Sequence, residues 1–400
     1  MKNILFLSVH SPFKSESGAH QRSRHFCSAF SKFAFVDVYT TDQDADCNID
    51  NCSKIEYNII RTKSIFLQIL KIIFLLFIPP VITKLIHLFT MFSIKSIGTK
   101  DAVLSKEVRN ILKNKKYDYI FVRYLTDLIK FGIAPKKNVI LDIDDLPEEK
   151  YMNNFKYDSK SFLNKIYFYV CSKTCRFYTK LIVKKVLVAY LPNKNQCELF
   201  KNAVYLPNIP YQQDVLDNNI INKSEFQIMF VGLIDYSPNW NGLLYFLKNI
   251  YPNIIQNIPD INFNIIGKIS ENRKEYLLKN FKNISLAGFA ADLNHEYQNN
   301  LVVVVPIYQG AGTNIKVVEA MSLGKACVIT SNSGRGYDKL LIDGKNILIA
   351  KNDIDFAEKT IKLLQDNDYR KSIEIFAKKS INEQYSFNFI LNTIKYSINI

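Results

Sequence analysis

Short apolar runs alternate with helical stretches along this 400-residue chain, and the alternation confines it to an α/β fold built on parallel sheets. Asn3–Ser8 is the first such run. Gly18–Phe33 reads as a helix, Phe35–Tyr39 as a strand, and Lys106–Lys116 as a helix. Tyr119–Val122 and Val139–Ile143 read as strands, residues 160–185 as a basic aromatic helix, and Val186–Ala189 and Val204–Tyr205 as strands. A second series opens at Phe226–Val231 and continues with helix 240–250, strand Asn262–Ile266 and helix 271–279. Strands Ile284–Leu286 and Leu301–Val305, helix 314–323 and strand Ala326–Thr330 complete it. Between the series lie Leu206-Pro207-Asn208-Ile209-Pro210 and polar Gln212–Asn222, which read as a linker. The expectation is two Rossmann-like domains facing across a cleft, 1–212 and 213–385. Ligands of such sheets sit beyond the carboxyl ends of the strands.

The chemistry concentrates between Val303 and Thr330. An apolar strand meets Pro306, then Gln309-Gly310-Ala311-Gly312-Thr313, then the helix Asn314-Ile315-Lys316-Val317-Val318-Glu319-Ala320-Met321-Ser322-Leu323, which stops at Gly324. A glycine-rich loop entering a helix presents free backbone N–H groups and the positive end of the helix dipole, a cradle for phosphate. Thr313 is the expected N-cap, and Lys316 adds a positive charge in the first turn. Glu319, three residues on, can accept hydrogen bonds from both hydroxyls of a ribose diol. The alternative is that Glu319 pairs with Lys316 on a solvated face.

Other nucleotide-binding patterns are disfavoured. The loop Ser8 to Ala19 holds one glycine, Gly18, instead of the dinucleotide fingerprint G-x-G-x-x-G. The sequence contains no P-loop motif and no G-x-S-x-G elbow.

The run from Gly310 to Thr330 resembles the nucleotide-sugar signature of GT-B glycosyltransferases of family 4, in the bacterial subgroup with a G-[SA]-G-T-x-[LI]-K-x-x-E-A-M core. Phe230-Val231-Gly232 with Pro238-Asn239, Ile265-Ile266-Gly267, Leu286-Ala287-Gly288-Phe289 and Asp343-Gly344-Lys345-Asn346 follow the order of that family. The resemblance covers about 226–385; the first half matches only in layout, through Gly18 and Leu141-Asp142-Ile143-Asp144-Asp145, and the resemblance implies that 386–400 is a C-terminal helix returning to the N-terminal domain. It implies a retaining transfer of a sugar from a nucleotide diphosphate donor, UDP favoured, with no metal and no cofactor beyond that donor. Helix dipole, loop amides and Lys316 then neutralise the leaving diphosphate. The implied catalytic residues are Glu319, Lys316 and Asp145; Gly18, Gly232, Gly267, Gly310, Gly312, Thr313, Asn314, Lys316 and Glu319 are the implied donor-binding set. The family often carries a second Glu where this chain has Ala311, and basic residues where it has Leu233 and Pro238-Asn239. Lys316 is the candidate replacement for that charge. For Asp144 and Asp145, acceptor or sugar contact stands beside a plain turn role; Arg22 reads as a solvated helix face or as facing the cleft. Nucleotide-sugar 2-epimerases share the layout, and a non-catalytic nucleotide-binding membrane scaffold is a further reading.

Charge and cysteine usage bound the surroundings. Residues 1–212 hold 32 basic and 18 acidic residues, whereas 213–400 hold 20 and 19, so nearly all of the net +15 lies in the first half. Such a field attracts anionic partners. Nucleic acid is disfavoured because no nucleic-acid-binding motif accompanies it. The seven cysteines form no CxxC and read as reduced thiols. The apolar 65–92 segment is broken by Lys71, Pro79-Pro80 and Lys84 and is too short between them to span a bilayer. It reads as a pair of core helices or as a monotopic surface. The combined expectation is a cytoplasmic enzyme on the inner face of the membrane, acting on a lipid-linked or glycan acceptor in cell-surface polysaccharide assembly (lipopolysaccharide or capsule).

Overall fold

The computed structural model describes residues 1–14, 18–42, 46–56, 94–158, 162–210, 227–290, 293–310, 313–337 and 339–400. The apolar 65–92 segment and the 212–222 part of the expected linker lie outside these residues. The chain resolves into two compact units. One comprises Met1–Phe13, Phe30–Leu191 and Cys197–Val204; the other comprises Lys14–Ala29, Pro192–Gln196 and Tyr205–Ile400.

A seven-stranded sheet runs in the order β3-β2-β1-β4-β5-β6-β7. Its strands are β1 (Lys2–Ser8), β2 (Ala34–Thr40), β3 (Cys52–Lys54), β4 (Tyr119–Arg123), β5 (Val139–Asp142), β6 (Val188–Leu191) and β7 (Ala203–Tyr205). The same stretch of chain forms α1 (Gly18–Ser31), α2 (Ala102–Asn114), α3 (Leu125–Lys130), α4 (Pro147–Asn153), α5 (Phe162–Lys185) and α6 (Lys194–Cys197), most of α1 and α6 falling in the second unit. Pairing of β1 with β2 and β4, and of β4 with β5, is parallel, so the strand order reverses between β1 and β4. Ile4 to Ser8 are all buried, as expected of a parallel strand covered on both faces. The core of this unit joins Leu5, Leu7, Val122, Leu141 and Ala189 of the strands to Leu104, Val108, Cys175 and Val183 of the helices.

A six-stranded sheet has the order β10-β9-β8-β11-β12-β13. Its strands are β8 (Gln227–Val231), β9 (Asn262–Ile266), β10 (Ile284–Gly288), β11 (Val302–Val305), β12 (Ala326–Thr330) and β13 (Leu348–Ala350). The remaining helices are α7 (Ser237–Asn249), α8 (Tyr251–Asn257), α9 (Glu271–Asn280), α10 (Leu293–Asn299), α11 (Ile315–Ser322), α12 (Asp353–Gln365), α13 (Asn367–Gln384) and α14 (Phe387–Ser397). β8 pairs in parallel with both β9 and β11, which puts the reversal of strand order between β8 and β11. All four valines of β11 are buried. Fully burying such a side chain is worth roughly 1.5–3 kcal/mol, so this run anchors the sheet at the reversal point.

The Leu206–Pro210 stretch differs from a solvated linker. Leu206, Asn208 and Ile209 are buried. Arg22 of α1 explains why: its Nη1 donates to the carbonyls of Leu206 (2.9 Å) and Pro207 (3.1 Å) and to Asn208 Oδ1 (3.0 Å). Arg22 is itself buried, so neither a solvated helix face nor a cleft-facing cation describes it. The closing helix α14 starts after Ser386, whose side chain caps it, and its Phe387 lies against His25 of α1.

Candidate functional site

The reversal of strand order between β8 and β11 is where an open α/β sheet leaves a crevice for ligands. Gly232 follows β8 and Gly267 follows β9. The Gly232 amide donates to Ile266 O at 3.0 Å, and the Gly267 amide to Gly288 O at 2.7 Å. Gly267 has φ +137°. A Cβ there would stand 1.8 Å from the Gly232 carbonyl oxygen, so no side chain fits. At Gly232 a Cβ would meet Lys316 Nζ at 2.9 Å and Asn239 Nδ2 at 3.0 Å. The glycine therefore opens the space into which Lys316 reaches.

Lys316, in the first turn of α11, is 7% exposed. Its Nζ donates to Asn239 Oδ1 at 2.8 Å and lies 4.4 Å from the centre of the Phe230 ring. Asn239 in turn donates to Leu233 O at 2.8 Å. Burial lowers the Lys316 pKa to about 7, with Glu319 pulling it partly back. The cation is thus held by a neutral amide and an aromatic face, and among the described residues it makes no ion pair.

Glu319 sits one turn along α11 with partners of its own. It accepts from the Tyr297 hydroxyl of α10 at 3.0 Å and from the Gln21 side chain of α1. The residue keeps some surface exposure, yet enough protein surrounds it that burial lifts its carboxyl above the usual range, with Tyr297 and Gln21 opposing the rise. Burial first, and then Glu319, hold the Tyr297 phenol well above its ordinary pKa, so it stays a donor. The alternative of a solvated Lys316–Glu319 pair therefore does not describe the structure.

The loop ahead of α11 departs from expectation in one respect. Asn314, not Thr313, is the residue preceding the first helical turn, and its side chain makes no capping bond. It donates instead to Ser333 O at 3.3 Å. Thr313 Oγ1 is taken up by Asn208 Nδ2 at 2.7 Å, which ties the loop to the buried Leu206–Pro210 stretch. Gly310 has φ +134° and lies beside Pro238 at the start of α7. Gly18 opens α1 against Ile315, a Cβ there meeting Ile315 Cγ2 at 3.2 Å. The starts of α1 and α11 thus converge. Gly312 and Ala311 lie outside the described residues.

Asp145 belongs to the other unit, past the end of β5, and is exposed. Its neighbour Asp144 has φ +40° and a role in structure: Arg123 Nη2 donates to Asp144 Oδ2 at 2.7 Å, and Nη1 to Asp142 Oδ2. Arg123 and Asp142 are fully buried. Tyr124, between them in sequence, has φ +67° and packs on the Arg123 guanidinium at 4.1 Å.

Brought together at the β8/β11 edge are Gly18, Gly232, Gly267, Gly310, Thr313, Asn314, Lys316 and Glu319. Sequence reasoning missed Gln21, Asn208 and Tyr297, and did not connect Asn239 with Lys316. Tyr297 stands in the polar run Leu-Asn-His-Glu-Tyr-Gln-Asn, which carries no signal of a buried donor.

Residues 225–366 match the family model of glycosyl transferases group 1. The chain folds as the GT-B glycosyltransferases do, and fold and domain match together support a glycosyltransferase. Among solved structures, sucrose-phosphate synthase from Thermosynechococcus elongatus aligns with a TM-score of 0.67 at 14% identity, covering 99% of this chain and 98% of that one. WaaG, a glycosyltransferase involved in lipopolysaccharide biosynthesis, aligns with a TM-score of 0.64 at 14% identity, over 98% and 99% of the two chains. HepE from Anabaena, solved with UDP and glucose, aligns with a TM-score of 0.60 at 13% identity, over the full length of both. A protein described as an uncharacterised 44.6 kDa protein in the cps region of Klebsiella pneumoniae is 25% identical over 303 residues, 72% of this chain and 76% of that protein.

Proposed function

We propose that this chain is a retaining, metal-independent hexosyltransferase of the family 4 type. It takes a sugar from a nucleoside diphosphate donor, UDP favoured, and passes it to a lipid-linked or glycan acceptor of a cell-surface polysaccharide. The observation that carries the reading is Lys316: a buried cation that, among the described residues, is held by a neutral amide and an aromatic ring, one turn from a carboxylate, at the edge where the strand order reverses. A diphosphate supplies the charge that Asn239 lacks. Amides at the starts of α1 and α11 complete the cradle. Glu319, oriented by Tyr297 and Gln21, accepts from the ribose hydroxyls. As the glycosidic bond to the donor breaks, negative charge grows on the leaving diphosphate, and Lys316 stabilises it where water is scarce. The leaving phosphate takes the acceptor's proton, so no separate base is required. Asp145 is assigned to acceptor or sugar contact.

Three comparisons support the donor and pathway class: HepE was solved with UDP and glucose, WaaG is described as involved in lipopolysaccharide biosynthesis, and the Klebsiella relative is described as lying in a cps region. The basic first half of the chain supports action at the cytoplasmic face of an anionic membrane, as a peripheral protein.

A thermal-shift panel of UDP, GDP, CMP, dTDP and their common sugars tests the reading, with Glu319→Ala as control. A hundredfold excess over Kd stabilises by about 2.7 kcal/mol. The expected outcome is a shift with one nucleotide, lost in the variant, and release of that nucleotide during turnover. Conversion of the donor to an epimer, or no shift with any nucleotide, would count against it.

A further inference from the structure

We infer that one face of α5 is the surface by which this protein docks on an anionic lipid bilayer. This specifies the membrane association proposed above and rests on that reading.

Phe162, Ile166, Tyr169, Lys173, Phe177, Lys180, Leu181 and Lys184 recur at spacings of one, three or four along the helix. At 100° per residue they fall on one side of it. The opposite side, with Cys171, Cys175, Ile182 and Val183, is buried in the unit. The outward side is not polar. Phe162 is 76% exposed, Phe177 59%, and Ile166, Tyr169 and Leu181 all above 40%. Five large apolar side chains in a row on a solvated helix cost solubility unless something covers them.

The charge on the same helix selects the cover. α5 carries six basic residues, Lys165, Lys173, Arg176, Lys180, Lys184 and Lys185, and no acidic residue. Glu148 of α4 faces Arg176 and Lys180, so those two are partly compensated. Lys173 instead lies 5.2 Å from the Tyr169 ring, and Lys165, Lys184 and Lys185 are exposed. A second copy laid on this face would set cation against cation. The 57–93 segment of the same chain meets the same objection, since it holds Arg61, Lys63, Lys71 and Lys84 and no acidic residue. An anionic bilayer satisfies both halves of the pattern. Its headgroups meet the ammonium groups, while Phe, Ile and Leu enter the acyl boundary and the lysine stems extend to the surface. A nucleic acid would answer the charge and leave Ile166 and Leu181 uncovered.

The test uses the full chain and vesicles of phosphatidylcholine alone or with phosphatidylglycerol added. Sedimentation with the anionic vesicles only, weakened by salt, is expected. Phe162→Ser/Phe177→Ser and Lys173→Glu/Lys184→Glu should each lower the vesicle partition coefficient at least about tenfold, the loss expected when two apolar anchors or two lysines leave the contact. Their melting temperatures and UDP-induced thermal shifts should stay unchanged, because these side chains are exposed. The Phe177→Trp variant should gain a blue-shifted emission on anionic vesicles that brominated lipid quenches. Binding that persists in both double variants, with no spectral change in Phe177→Trp, would assign the membrane contact elsewhere and overturn the α5 inference alone. No binding to anionic vesicles by the parent protein would overturn it together with membrane association. A change of oligomeric state in Phe162→Ser/Phe177→Ser, without loss of vesicle binding, would make the face a self-association surface instead.

Discussion

The two sheets share a strand-order reversal and a buried cation at the carboxyl edge, yet they treat the cation in opposite ways. At the end of β4, Arg123 is matched by two carboxylates, Asp142 and Asp144, and stacked on Tyr124. Burial pulls its pKa down, but Tyr124, Asp142 and Asp144 more than offset that, and it stays charged. Beside β8, Lys316 has a neutral amide and an aromatic ring, and its pKa falls to about 7. The first edge carries its own counter-charge and is a finished piece of architecture. The second holds its cation, among the described residues, on neutral groups, with Glu319 one turn away. The backbone tells the same story. Tyr124 and Asp144 hold positive φ without being glycine, strain that the Arg123 network sustains, whereas the Lys316 edge uses Gly232 and Gly267, where no strain arises.

The largest expected effect tests whether the second edge depends on backbone contact. Gly267→Ala puts a methyl 1.8 Å from Gly232 O and should cost more than about 4 kcal/mol or abolish folding, read by chemical denaturation. A normal melt would mean that this edge is looser than described. Next comes the same kind of replacement at both cations. Arg123→Met strands buried Asp142 and half-buried Asp144 and should destabilise by about 3–5 kcal/mol. Lys316→Met removes an unmatched charge, so stability should hold or rise, while UDP affinity drops about 100-fold, roughly 2.7 kcal/mol. Equal losses of stability at both positions would erase the contrast.

The pH dependence sharpens it. Lys316 is protonated in the unfolded chain up to its ordinary value of 10.5 but only to about 7 when folded. Between these values the unfolded state binds more protons, so this group makes stability rise with pH there; below about 7 both states are charged and its burial cost is constant. Diphosphate binding goes the other way, weakening by up to about tenfold per pH unit above about 7. Calorimetric titration of UDP from about pH 6 to about pH 9, a range that brackets the folded value, should show the slope in the parent and none in Lys316→Met. The smallest effect is at Tyr297. Tyr297→Phe removes one hydrogen bond to Glu319 and should weaken UDP binding about fivefold, near 1 kcal/mol. An unchanged Kd would take Tyr297 out of the orientation of Glu319.

Much of this molecule was legible as sequence because its signals are local. Strand runs such as Val302–Val305, the glycine loop and the start of α11 depend on neighbours within a few residues, where periodicity and backbone freedom act. The Lys316/Glu319 spacing and the glycines that end β8 and β9 belong to the same class. What only the tertiary structure decided is who partners whom across the chain. Asn239 meets Lys316 from 77 residues away, Tyr297 meets Glu319, and Arg22 holds the carbonyls of Leu206 and Pro207 that read as a linker. Hydrogen bonds of that range leave no period and no spacing in a single sequence. They exist only once burial has removed water as the competing partner, and the same burial sets the Lys316 pKa near neutrality.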